Sequence, residues 1–183
     1  MTANTEIDPN LKTDQVIINE HKTSGAMLIG HAHLNMVASL NALTLDAVRV
    51  LGTAVLQWSS RKDIAGVLIT GEGEKAFCAG GDLGTLLPLF TGAKKPEDEW
   101  SEKLMGDLGH YMSTALLRPF ELYKPIISAV NGFALAGGCE LLQATDIRIA
   151  STNASFGLTE AQRGLVPGGG SMVRLPRQIP YCK

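Results

Sequence analysis

Between Ser128 and Glu160 the chain reads strand, glycine-rich bend, short helix, strand, loop, and no other stretch constrains the fold as much. Ile126–Val130 is apolar and partly β-branched, as a buried strand requires. Asn131-Gly132-Phe133 turns the chain. Ala134-Leu135-Ala136-Gly137-Gly138 is small enough for another backbone or a ligand to come close. An apolar helix is predicted from Cys139 to Ala144, with Glu140 at its start. Asp146–Ala150 alternates and reads as the next strand, and Ala154-Ser155-Phe156 as a short one. A second carboxylate, Glu160, follows the turn Phe156-Gly157. We expect Glu140 and Glu160 to meet over one ligand, beside a backbone amide that the glycines leave bare.

A helix between two such strands implies right-handed crossover units and an α/β fold. The earlier chain carries the same pattern. Gln15–Asn19 and Ala26–Gly30 are predicted strands of a hairpin turning through His21–Gly25. Thr44 caps a helix whose Leu45, Val48, Leu51, Val55 and Trp58 form one buried face, and Arg61-Lys62-Asp63 ends it. Gly66–Thr70 is a continuous apolar run, as in a strand covered on both faces. Pro96 with Glu97, Asp98 and Glu99 starts a helix carrying Trp100, Leu104, Leu108, Met112 and Leu116 at four-residue spacing. Pro119 and Pro125 bracket its end. Residues 1–14 read as a loose polar tail and 15–183 as one domain.

With 183 residues, 45% of them hydrophobic and 19% charged, the chain can bury a sizeable core. A net charge of −2 gives no general reason to expect nucleic acid or an acidic membrane as partner. No apolar run approaches the ~18–20 residues of a membrane span. Met1–Thr13 has no basic region followed by an apolar one, so no secretory signal is expected. Cys78, Cys139 and Cys182 are far apart and form no C-x-x-C, which fits reduced thiols in a cytoplasmic setting and implies no metal site. His31 and His33 lack a completing cluster and read as partly exposed loop histidines.

Three glycine-rich stretches carry possible chemistry. Gly71–Ala76 has the form G-x-G-x-x-A of a dinucleotide turn, which would make this a nicotinamide-binding oxidoreductase. That turn needs a helix opening on its last residues, whereas here Phe77-Cys78-Ala79 follows, so a tight polar turn is expected. In Ala79-Gly80-Gly81-Asp82-Leu83 the glycines permit close approach, and Asp82 is placed to cap Leu83–Leu89 and leave amides free for an anion. Gly84 and Pro88 make that segment a weak helix. Leu165–Gly170 reads as a loop leading to a helix at Ser171–Leu175. Ser171 lacks the G-x-S-x-G context of a nucleophile and reads as a helix cap.

The order and spacing of three segments resemble the crotonase, or enoyl-CoA hydratase/isomerase, superfamily. They are Lys75–Leu83, Pro125–Leu141 and Phe156–Gly170, with Ser39-Leu40-Asn41-Ala42-Leu43 resembling the approach to the family's first helix. The resemblance implies a spiral of ββα repeats binding an acyl-CoA thioester, with no cofactor beyond the coenzyme A of the substrate. It places the thioester oxygen between the amides of Gly81 and Gly137. It assigns Glu140 to activating water and Glu160 to delivering the proton at the α-carbon. Ser39, Leu40, Ala79, Gly80, Gly81, Asp82, Leu83 and Gly137 would line the substrate, and Lys75 is a candidate phosphate contact. The implied activity is syn hydration of a trans-2-enoyl-CoA or its reversal; the alternatives are a double-bond isomerase, a specialised acyl-CoA dehydratase, and a silent acyl-CoA-binding or assembly module. The implied assembly is a trimer or dimer of trimers. Where family members commonly show L-N-R-P, this chain has Leu34-Asn35-Met36-Val37. Family chains also continue past the point where this one stops at Lys183, through a helical region that covers the acyl pocket and helps build trimers. A truncated C-terminus, with exposed apolar surface near residues 172–183, is the corresponding expectation.

Overall fold

The structure, a computed structural model, describes residues 13–97, 99–118 and 121–180, and the side chains at 90, 100, 101, 104 and 108 lie outside that description. Outside it too fall most of the predicted tail, Asp98, Pro119, Cys182 and the Trp100, Leu104 and Leu108 part of the helical stripe.

Two sheets are built by alternation. Strands β1 (Val16–Lys22) and β2 (Leu28–Leu34) form the predicted hairpin, followed by helix α1 (Leu45–Ser60). Next come β3 (Ile64–Gly71), β4 (Ala76–Cys78) and helices α2 (Leu86–Phe90) and α3 (Glu99–Ala115). Then follow β5 (Ile126–Val130), β6 (Phe133–Leu135) and α4 (Gly137–Gln143), and finally β7 (Ile147–Ala150), β8 (Ser155–Gly157) and α5 (Ser171–Gln178). The larger sheet has the order β1-β2-β3-β5-β7 and the smaller β4-β6-β8. From β3 onward, each repeat therefore gives its first strand to one sheet and its second to the other, in parallel. That is the spiral of ββα units expected from the motifs.

The core lies between α1 and the larger sheet. Leu45, Val48, Leu51, Val55 and Trp58 are all buried, as their spacing predicts. Removing a side chain of this size from water contributes about 1.5–3 kcal/mol. The Thr44 hydroxyl accepts the Ala47 N–H at 3.1 Å and fixes the start of α1. Trp58 lies directly on β2, where a Cβ on Gly30 would fall 2.5 Å from its ring.

Several boundaries differ from expectation. β1 and β2 run longer than their apolar letters suggest, so His31 and His33 are strand residues, not loop residues. Parallel pairing with β3 extends β2 to Leu34, and the side chains alternate: Gly30, Ala32 and Leu34 inward, His31 and His33 outward. For the same reason β3 is not covered on both faces: Val67 and Ile69 are buried, while Leu68 and Thr70 are half-buried beside the histidines. The helix after Asp82 begins only at Leu86, because Gly84 and Thr85 donate to the Asp82 carboxylate in a turn of their own. α4 starts at Gly137, two residues before the predicted Cys139. Gly71–Ala76 runs into strand β4 and not into a helix, so the dinucleotide turn lacks the element it requires.

Candidate functional site

The site forms where the second and third ββα units touch. β4 pairs with β6, and the approach is so close that a Cβ on Gly138 would sit 2.1 Å from the Cys78 carbonyl oxygen. Two bends are thereby placed side by side. One is Ala79–Asp82, tied to the segment after β2 by bonds from Ala79 N to Leu40 O (3.0 Å), Leu43 N to Gly80 O (2.7 Å) and Asp82 N to Leu43 O (2.8 Å). The other is Leu135–Gly137, at the mouth of α4. A Cβ on Gly80 would lie 2.8 Å from the Ala136 Cβ and 3.2 Å from Gly137 N.

This geometry leaves the Gly81 and Gly137 N–H groups without an acceptor among the described residues. Gly137 is the first residue of α4, so helix formation itself frees its donor. The backbone of Ala136 turns into place at φ 47°, ψ −124°, a region that a residue with a Cβ seldom occupies. Gly80, at φ +100°, makes the matching bend on the facing loop.

Glu140 projects from the first turn of α4 and is buried at 4% exposure. Both its oxygens are occupied: Gly169 N–H donates to Oε2 at 2.8 Å and Ser171 N–H to Oε1 at 3.1 Å. Amide–carboxylate bonds are among the stronger hydrogen bonds of a protein, and two of them fix the carboxylate plane. Glu160 opens a 3-10 turn, Glu160–Arg163, and is the opposite case. Both its oxygens are buried, and neither has a hydrogen-bond partner among the described residues. Burial pushes the Glu160 carboxyl above its ordinary range, and the Glu140 charge adds in the same direction. One carboxylate is thus clamped as an acceptor, and within reach of its field stands a second whose proton affinity is raised by burial, against the pull of its own main-chain N–H, and which no other described residue bonds.

Of the residues proposed from sequence, the structure brings Leu40, Ala79, Gly80, Gly81, Asp82 and Gly137 together through these loops, with Ser39 and Leu83 exposed beside them. Ser39 ends a short 3-10 turn and Leu40 has φ 57°. Lys75 stands apart and exposed at the start of β4, and its described contact is main-chain, its carbonyl accepting Phe133 N–H at 2.9 Å. Ser171 is not the helix cap it reads as. Its hydroxyl is buried without a partner among the described residues, and its contribution is the main-chain N–H on Glu140. The clamp formed by Gly169 and Ser171 was not legible as part of the site. The signal available was the run Gly168-Gly169-Gly170 before a helix, where close approach to something is implied but its identity is not.

Several elements around this site remain apolar and open. Phe133, Ile147, Ile149 and Phe156 are exposed on the strands, and Met172, Val173 and Ile179 along α5 and its end, as expected near residue 172 onward. No described helix is long and apolar enough to cross a membrane.

Comparison with known proteins places the chain in a family. A sequence model of the family described as enoyl-CoA hydratase/isomerase matches residues 27–183. The enoyl-CoA hydratase EchA19 of Mycobacterium tuberculosis is 43% identical over 148 residues, covering 81% of this chain and 52% of that protein. A short-chain-enoyl-CoA hydratase of Clostridium acetobutylicum is 37% identical over 147 residues, covering 80% and 52%. The crystal structure of an enoyl-CoA hydratase from Bacillus anthracis superposes with a TM-score of 0.71 at 33% identity, covering 92% of this chain and 59% of that one. The chain spans about half the length of the curated relatives it matches.

Proposed function

The chain belongs to the enoyl-CoA hydratase/isomerase family, and from that premise we propose that its site hydrates a trans-2-enoyl-CoA thioester, or dehydrates the corresponding 3-hydroxyacyl-CoA. The observation that carries this reading is the unequal pair: Glu140 bonded at both oxygens, Glu160 with both oxygens buried, unpartnered among the described residues and raised in proton affinity. Hydration needs one group to take a proton and another to give one, and a pair so separated in environment supplies both.

The steps balance as follows. The thioester oxygen sits between the Gly81 and Gly137 N–H groups, which polarise the conjugated C=C. Glu140, fixed in plane by its two amides, takes a proton from a water whose oxygen bonds to the β-carbon. The electron pair of the double bond moves onto the thioester oxygen, where two donors stabilise it. One such donor is typically worth about 2.7–4 kcal/mol in the transition state. Glu160 then gives its proton to the α-carbon as the carbonyl re-forms. Glu140 ends protonated and Glu160 ionised, and a proton returned through solvent resets the pair. The reaction is redox-neutral and served by carboxylates and amides, so we read no cofactor or metal into it beyond the coenzyme A of the substrate.

Exposed Ser39, Leu40 and Leu83 beside the bends fit the substrate's passage into the site, and we keep exposed Lys75 as the candidate for a contact with its phosphates. We read the exposed Ile147, Ile149 and Phe156 as surface for a second copy of the chain, and the buried free thiols Cys78 and Cys139 as fitting a cytoplasmic setting. The deciding experiment follows the conjugated thioester absorbance of crotonyl-CoA. Loss of absorbance with a 3-hydroxyacyl product supports hydration. No loss, together with conversion of a 3-enoyl-CoA to the 2-enoyl form, replaces this reading with an isomerase.

A further inference from the structure

Glu140 is held by a turn, and that turn is itself held. Gly169 stands between the Glu140 carboxylate and the Arg174 guanidinium: its N–H donates to Glu140 Oε2 at 2.8 Å, and its carbonyl accepts from Arg174 Nη1 at 3.1 Å. The same Nη1 donates to Leu116 O at 3.0 Å, and Nη2 donates to Leu117 O. Arg174 therefore pins the turn to the main chain just after α3, and its described hydrogen bonds all go to carbonyls. The fit leaves no slack. A Cβ on Gly169 would lie 2.6 Å from Glu140 Oε2, and one on Gly170 2.8 Å from Arg174 Nη1.

We propose that Arg174 is a positioning residue for the reaction: by forking across the carbonyls of Leu116, Leu117 and Gly169 it aims the Gly169 and Ser171 amides, and through them the plane of Glu140. A half-buried arginine without a carboxylate partner within bonding distance among the described residues is an expensive way to stabilise a loop, since its charge must be desolvated. What offsets that cost here is a fixed fork of donors, which a lysine cannot reproduce, and a positive charge on the far side of the turn from Glu140, whose field it feels. The role in turnover rests on the hydratase reading above; the control of the turn does not.

The test uses Arg174→Lys and Arg174→Gln in the intact protein, with amide hydrogen exchange read residue by residue and kinetics on crotonyl-CoA. In both variants the Gly169 and Ser171 amides should exchange at least about tenfold faster while β3 and β5 amides keep their protection. Turnover should fall about 10–100-fold with KM within about twofold, the pattern of a misplaced catalytic group. In a Glu140→Gln background either substitution should cost nothing further, because the group it positions is gone. Unchanged exchange at Gly169 and Ser171 overturns the proposal, as do losses that multiply in the double variants. A wild-type protein that does not hydrate crotonyl-CoA would sink the hydratase reading instead, and the exchange result would still decide whether Arg174 governs the turn. Should Arg174→Gln not fold, Arg174→Lys retains the charge and carries both measurements.

Discussion

Replacing Glu140 and Glu160 by glutamine should stop the same reaction while moving stability in different directions. Glu140 spends both oxygens on backbone donors, Gly169 N–H at 2.8 Å and Ser171 N–H at 3.1 Å. A glutamine offers one oxygen and one NH2 group, so in either orientation one buried N–H faces another donor. A bond to a charged group, about 1.5–3 kcal/mol, is lost, and a buried donor is left unsatisfied. We expect Glu140→Gln to lower stability by about 2–4 kcal/mol, or roughly 5–15 °C in melting temperature for a domain of this size. Glu160 has no partner to lose among the described residues. Glu160→Gln removes a charge that burial and Glu140 both oppose, so it should melt at or above the wild-type temperature. Both variants should lose about 10²–10⁴ in turnover. Thermal unfolding by circular dichroism and the crotonyl-CoA assay check the pair together. Equal melting temperatures for the two variants would refute the assignment of a clamped and an orphan carboxylate, whatever the rates.

Four further outcomes follow from the same geometry. The advantage of Glu160→Gln in denaturant unfolding should depend on pH: below 4.5, the ordinary value of this carboxyl, folded and unfolded Glu160 both keep the proton and the raised affinity costs nothing. As pH rises past that value the unfolded chain ionises first and wild type loses stability, until the buried carboxyl ionises too and the gap stays constant; a gap that shrinks with rising pH contradicts the shift. Ala136→Gly relieves a strained φ of 47° and should raise stability by about 1 kcal/mol net of the extra freedom of the unfolded chain, measured by urea titration. Gly106→Ala, with nothing within 4 Å of its added carbon in the middle of α3, should stabilise by about 0.5–1 kcal/mol. Gly138→Ala drives a carbon to 2.1 Å from a backbone oxygen, and should cost more than about 3 kcal/mol or leave no soluble fold, seen in expression and far-ultraviolet spectra.

The repeats were legible because they rest on local signals. The stripe of α1 and its Thr44 cap follow from a few neighbouring letters and took the expected form, and the apolar run of β3 is a strand, although one covered on a single face. What escaped was set by pairing across the chain. His31 and His33 look like loop residues because a strand face open to side-chain hydrogen bonds carries polar letters, and only the partner strand β3 shows that the ladder continues through them. The same distinction divides the site. Glu140 and Glu160 were recognisable as a pair by motif, but nothing within either motif says which is held and which is left without partners. That asymmetry is created 29 and 31 positions downstream of Glu140, by the Gly169 and Ser171 amides. Those amides are main-chain groups, so substitutions that keep the backbone path leave them intact and the sequence gives no side-chain sign of them. The different surroundings of the two carboxylates are therefore set by a turn whose visible requirement is room: at Gly169 a single added carbon meets Glu140 Oε2 and Leu116 Cδ1, each at 2.6 Å. A glycine run that reads as a featureless loop is, in this fold, the surface against which the Glu140 carboxylate is held.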